Sequence, residues 1–236
     1  MSNPLLKDSV FQSPVRSNEV MTVSGTINKS IILWFFLAVS AFYSWTHSNV
    51  IMPLLFPILI GAFVLAIISI FKKTASPFLS PLYAICEGFV LGTISLYFEK
   101  SYPGIVVNAI LLTICVLFCM LASYKTGILK ATPRFQKIVI LSTFAIAFVY
   151  IVDLLLNVFG AGSFPYIHDS STLGVIVSLI IVAVASLNLI IDFDLIENGV
   201  RYGAPKYMEW YSAFSLMITL VWLYLEMLRL LSKLRD

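Results

Sequence analysis

Seven apolar stretches joined by short polar connectors constrain this chain more than any other feature. They cover residues 30–46, 50–71, 78–98, 105–124, 138–159, 173–193 and 210–231. Most run about 20 residues, the length that crosses a hydrocarbon core of about 30 Å as an α-helix. Lipid offers backbone N–H and C=O groups no partners, so a spanning segment of this length must bond within itself as a helix. Helix-breaking pairs punctuate the connectors, among them Pro103-Gly104, Thr132-Pro133 and Gly203-Ala204-Pro205. The pattern predicts an all-α membrane protein, with seven transmembrane helices forming one bundle over residues 30–236. Residues 1–29 are polar and lack the apolar core of a signal peptide, so they read as a flexible cytoplasmic tail.

Composition narrows the function. Only 11% of residues are charged and 60% are hydrophobic, whereas a soluble domain carries roughly 25% charged residues. An ordinary soluble enzyme and a disordered chain are excluded. The net charge of +3 is too small and too scattered for a nucleic-acid surface. Cys86, Cys115 and Cys119 have no disulfide or metal spacing, and Cys115 and Cys119, four apart, read as small buried thiols. GxSxG, HExxH, P-loop and CxxC motifs are absent, and the apolar segments hold no nucleophile–base pair. Neither enzymatic activity nor a cofactor is expected.

Lysine and arginine set the orientation. With the N-terminus inside, only Lys100, Arg229, Lys233 and Arg235 of the 15 bases fall outside, as the positive-inside rule favours. Three of those four belong to the C-terminus. Either the seventh helix crosses despite them, or it dips back and ends inside.

Acids, by contrast, enter the apolar segments: Glu87, Asp153, Asp192, Asp194 and Glu226. Intramembrane acids are costly and usually face a bundle interior or a wet cavity. No Lys or Arg occurs between Lys137 and Arg201, and only Arg229 stands near one of the acids, three residues after Glu226. Counting rise per residue staggers the acids across the bilayer, with Glu87 about 14 Å and Asp153 about 22 Å from the inner end of their helices. A staggered series of acids with few bases suits a path for cations or protons. The alternative is private hydrogen bonds to neutral side chains that stabilise the bundle. Asp192 and Asp194 point about 200° apart on a helix. Asp192 shares its face with Ala185 and Asn188 and reads as inward; Asp194 shares its face with Glu197 and Arg201 and reads as interfacial. Gly88 and Gly92 let a neighbouring helix approach close to Glu87. His47 and His168 fall in outer loops and read as solvated.

Several stretches carry a family resemblance: Ser80-Pro-Leu-Tyr-Ala-Ile-Cys-Glu-Gly-Phe-Val-Leu-Gly-Thr-Ile-Ser95, Tyr102-Pro-Gly-Ile105, Asp192-Phe-Asp-Leu-Ile-Glu197, Tyr207-Met-Glu-Trp-Tyr211 and Trp222-Leu-Tyr-Leu-Glu-Met-Leu-Arg-Leu-Leu231. Together they resemble bacterial members of the Bax inhibitor (transmembrane Bax inhibitor motif) family, from about residue 22 to the end. The resemblance implies six helices around a central seventh, a bacterial inner membrane, and a pH-sensitive calcium leak linked to stress. It also implies that an acid on helix 6 and one on helix 7 share a proton, because two carboxylates in contact cannot both ionise cheaply. The helix 6 acid falls on Asp192. The helix 7 acid falls on Glu226 by the Leu-Tyr-Leu-Glu match, or the position falls on Thr219 when aligned from the Leu-Arg-Leu-Leu end; a full crossing would set Asp192 and Glu226 about 20 Å apart, which leaves Glu87 as a competing partner for Asp192.

The expectation is therefore a cation leak, for Ca²⁺ or H⁺. Asp192 gates it, Glu226, Glu87, Asp153 and Asp194 line the path, and Asp192 with Glu226 makes transient Ca²⁺ contacts. Two other readings stay open. One is a non-transporting regulator bound to a membrane protease or stress factor; the other is a proton-coupled transporter of a small solute.

Overall fold

A computed structural model describes residues 20–160 and 169–235. Seven long helices carry the apolar stretches: α1 (Val23–Thr46), α2 (Leu55–Phe71), α3 (Ser76–Ser101), α4 (Ile105–Lys125), α5 (Pro133–Val158), α6 (Thr172–Arg201) and α7 (Tyr207–Arg235). Short helical turns at Ser48–Ile51 and Met52–Leu54 extend α2 backward, so the second span is Ser48–Phe71. All seven are long and apolar enough to cross a bilayer. Among the described residues there is no strand, only the isolated bridge between Val20 and Pro205. The seventh span is the most buried, with 56% of its apolar window inside the protein against 11% for Ser48–Phe71.

The chain divides into two compact units. One comprises Met1–Ser101 with Asp194–Ile218; the other comprises Tyr102–Phe193 with Thr219–Asp236. Both α6 and α7 therefore contribute a part to each unit.

In the first unit, α3 packs on α1. A Cβ at Gly88 would collide with Ser40 and the Leu37 carbonyl of α1, and one at Gly92 with the Ala41 carbonyl. The expected close approach is thus made, and α1 is the helix that makes it. Beside it, the Ser44 and Thr93 hydroxyls lie 2.7 Å apart, and Ser44 also donates to the Phe89 carbonyl at 2.8 Å. Helix α1 starts at Val23 because Thr22 caps it, its hydroxyl accepting from the Gly25 N–H at 2.9 Å. The expected tail boundary at residue 29 is therefore too late: residues 23–29 are helical, and residues 1–19 lie outside the described residues. The Met21 N–H donates to the Ala204 carbonyl at 2.7 Å. Met21 also packs with Leu195, Ala204 and Met208, which ties the start of α1 to the α6–α7 turn. That turn reverses at Gly203, where φ is +65°.

In the second unit, α4 follows a left-handed Gly104, and α5 begins at Pro133 with Thr132 accepting from the Phe135 N–H. Helix α7 is unbroken to Arg235. Lys233 Nζ donates to the Gly174 carbonyl at 3.0 Å, and Arg235 Nη1 to the Pro103 carbonyl at 2.9 Å. The C-terminal end of α7 therefore lies with the start of α6 and the α3–α4 turn. A continuous helix of about 43 Å is long enough to cross fully, and it has no break at which to dip back. The C-terminal bases that seemed misplaced are each engaged inside this unit, Arg229 by Glu226 and the other two by carbonyls. Cys115 and Cys119 correct another expectation, because both thiols are exposed on α4, not buried.

Candidate functional site

Of the five intramembrane acids, two meet at one cavity. It is an open pocket of about 690 Å³ within the second unit, lined by Tyr150, Asp153, Leu154 and Asn157 of α5 and by Trp222, Leu225, Glu226 and Arg229 of α7. Helical spacing assembles the α7 side: Trp222, Glu226 and Arg229 are four and three residues apart and share one face. The α5 side repeats the device with Tyr150, Asp153 and Asn157.

Glu226 is the centre of the site and is 1% exposed. Its Oε1 accepts three hydrogen bonds: Tyr150 Oη at 2.8 Å, Arg229 Nη1 at 2.8 Å and Trp222 Nε1 at 3.1 Å. The Arg229 guanidinium lies over the Tyr150 ring, 4.9 Å from its centroid. Oε2 is buried without a hydrogen-bond partner among the described residues. One oxygen is thus saturated and the other is a bare acceptor. Asp153 is also buried, and Asn157 Nδ2 donates to its main-chain carbonyl at 2.8 Å. Because its arginine side chain is 40% exposed, the ion pair is anchored at the acid and loose at the base.

The shared-proton pair does not form. Two independent contacts set the register of α6 against Glu226. Lys233 meets Gly174, which puts Asp192 about 27 Å and Glu226 about 10 Å from that end. Separately, Glu226 meets Tyr150 while Asn188 Nδ2 donates to Thr143 Oγ1 at 2.9 Å. Asn188 is then about 10 Å, and Asp192 about 16 Å, further along the bundle than Glu226. Both routes separate the two acids by about 16 Å in level. Thr219, by contrast, comes within about one turn of Asp192. Of the two positions the sequence left open, the one level with Asp192 carries a hydroxyl, and the carboxylate stands two turns away beside its own arginine.

The remaining acids lie elsewhere. Asp192 is buried and does not line the cavity. Asp194 is half-buried and accepts from Asn198 Nδ2 at 2.9 Å. Glu87 is half-buried in the first unit, where it interacts with the Tyr83 hydroxyl one turn back. No group of three or more His, Cys, Asp and Glu side chains among the described residues is arranged to hold a metal ion. His47 is exposed and stacks on Tyr43 with centroids 4.5 Å apart; His168 lies outside the described residues.

Tyr150, Asn157 and Trp222 were not singled out from sequence as site residues. Their signal was present as helical spacing from an acid: Tyr150 at i−3 and Asn157 at i+4 from Asp153, and Trp222 at i−4 from Glu226.

These observations define an integral membrane protein of seven helices with buried carboxylates in its interior. The chain belongs to the Bax inhibitor 1 like family, which it matches over residues 3–236. No curated protein and no solved structure matches it.

Proposed function

We propose that this protein lets cations, Ca²⁺ foremost, leak across a bacterial inner membrane under the control of pH, with its N-terminus in the cytoplasm. The observation that carries this reading is the bare, buried Oε2 of Glu226 beside Asp153 in one cavity. Carboxylate oxygens are the preferred ligands of a hard divalent cation. An acid held in place by Tyr150 and Trp222 need not move to receive one. Arg229 balances the charge when no other cation is present. Asp192, about 16 Å further in, is a second and separate station, and gates the path by its own proton. Cation attraction requires ionised acids, so the flux falls as the medium is acidified.

The test is Ca²⁺ flux into liposomes holding the purified protein. Wild-type vesicles pass Ca²⁺ above the protein-free rate, and Asp192→Asn removes most of the pH dependence while the helical content stays. No flux above protein-free vesicles would sink the leak. An unchanged pH profile in Asp192→Asn would sink the gating role alone. The Glu226–Arg229 pair favours a second reading, a non-transporting regulator of a membrane protease or stress factor in which the acids are structural. That reading requires absent flux, and loss of the partner when Lys125, Lys130 and Arg134 are replaced.

A further inference from the structure

At the end of the first unit where α1 and α7 begin and α2 ends, two lysines rest on consecutive aromatic residues of α7. Lys29 Nζ lies 5.4 Å from the centroid of the Trp210 ring, and Lys73 Nζ lies 5.0 Å from that of Tyr211. An aromatic face holds an ammonium in place but accepts none of its N–H bonds in full, so the remaining donors still call for an acceptor. Neither ammonium is paired with a carboxylate among the described residues. Glu209, next to Trp210 in the chain, cannot serve. It is 1% exposed, and its Oε1 accepts from the Thr22 N–H and hydroxyl, each at 3.0 Å. The charge of this end therefore stays positive, and exposed Lys72 adds to it.

The surroundings identify what faces these lysines. Phe71 and Phe78, on either side of the Lys72–Lys73 turn, are 85% and 83% exposed, which is tolerable only against acyl chains. Tryptophan and tyrosine at the end of a span mark the headgroup level. Lysines held at that level, with lipid-facing phenylalanines beside them, meet the phosphate groups of anionic headgroups.

We infer that Lys29 and Lys73, seated on Trp210 and Tyr211, form a binding site for the phosphate headgroup of an anionic phospholipid. The occupant is a lipid, because the phenylalanines supply contact for acyl chains that a free phosphate lacks. Phosphatidylglycerol is preferred over phosphatidylcholine, whose own cation cancels the attraction.

The test uses the full chain in detergent micelles, with bound phosphatidylglycerol counted by native mass spectrometry. Each lysine removed lowers affinity about fivefold, so K29Q/K73Q weakens binding by about 25-fold. K29R/K73R keeps it, and K125Q/K130Q, which removes two exposed lysines of the second unit, leaves it unchanged. Thermal melting of each variant confirms that the fold is intact, and the arginine variant separates lost charge from lost packing. Unchanged binding in K29Q/K73Q would overturn the inference. So would an equal loss in K125Q/K130Q, equal retention of phosphatidylcholine, or displacement of the lipid by excess glycerol phosphate, which would make free phosphate the ligand.

Discussion

Helix α7 carries two buried glutamates, one in each unit, and both are 1% exposed with one oxygen bonded and the other bare. Glu209 is closed in. Its Oε1 takes the N–H and hydroxyl of Thr22, it stands in the first turn of α7, and Gly25 lies so close that a Cβ there would overlap the carboxylate. Glu226 opens on a cavity, shares it with Asp153, and is balanced by an arginine that is 40% exposed. Burial and an orphan oxygen are common to both, so neither marks function alone. The difference is that Glu226 has a pocket beside it and a half-exposed counter-ion, whereas the Glu209 carboxylate is packed against Gly25.

Gly25→Val breaks the Glu209 side of the comparison most severely. The added side chain displaces a carboxylate with nowhere to go, and stability falls by about 3 kcal/mol, read as a lower melting temperature in detergent. Calcium flux per folded molecule stays near wild type, because the site lies in the other unit. A Gly25→Val protein as stable as wild type would mean that Glu209 is not confined.

Arg229→Gln sharpens the Glu226 side. It leaves a buried carboxylate without its cation and costs about 2 kcal/mol, less than for a fully buried pair because the arginine is half in solvent. Glu226→Gln combined with Arg229→Gln restores most of that loss, since neither charge is then stranded. A double-mutant cycle on thermal stability measures the coupling, and additive losses would show that the pair is not coupled.

Asp169, at the start of α6, carries the smallest effect. The hydroxyl and then the N–H of Ser171 hold its carboxyl below the ordinary aspartate value. A depressed acid stabilises the fold above its unfolded pKa, about 3.9, and that contribution is lost as pH falls through the lower folded value. Wild type is therefore more stable than Asp169→Asn near neutrality, and the gap closes in strong acid. A gap that widened on acidification would contradict the assignment.

Much of this was legible in the sequence because the bilayer leaves few options. The seven spans, the burial of Asp192 and the close approach at Gly88 and Gly92 follow from length and helical period. What stayed hidden depends on register between helices that are distant in the chain. Nothing local states that Tyr150 meets Glu226, or that Asn188 meets Thr143. Those contacts assemble the cavity, whereas the separation of Asp192 from Glu226 already followed from rise per residue along two full crossings. The exposure of Cys115 and Cys119 was hidden for a related reason: in lipid, apolar positions occur on both faces of a helix, so apolarity does not mark the inside.

The central claim is that the open glutamate, not the enclosed one, handles cations. Liposomes holding wild type or Glu226→Gln test it through Ca²⁺ flux measured across a pH series. Wild-type flux falls on acidification, whereas Glu226→Gln passes little Ca²⁺ at any pH and shows a flat profile. A Glu226→Gln protein whose flux and pH profile match wild type would contradict the account.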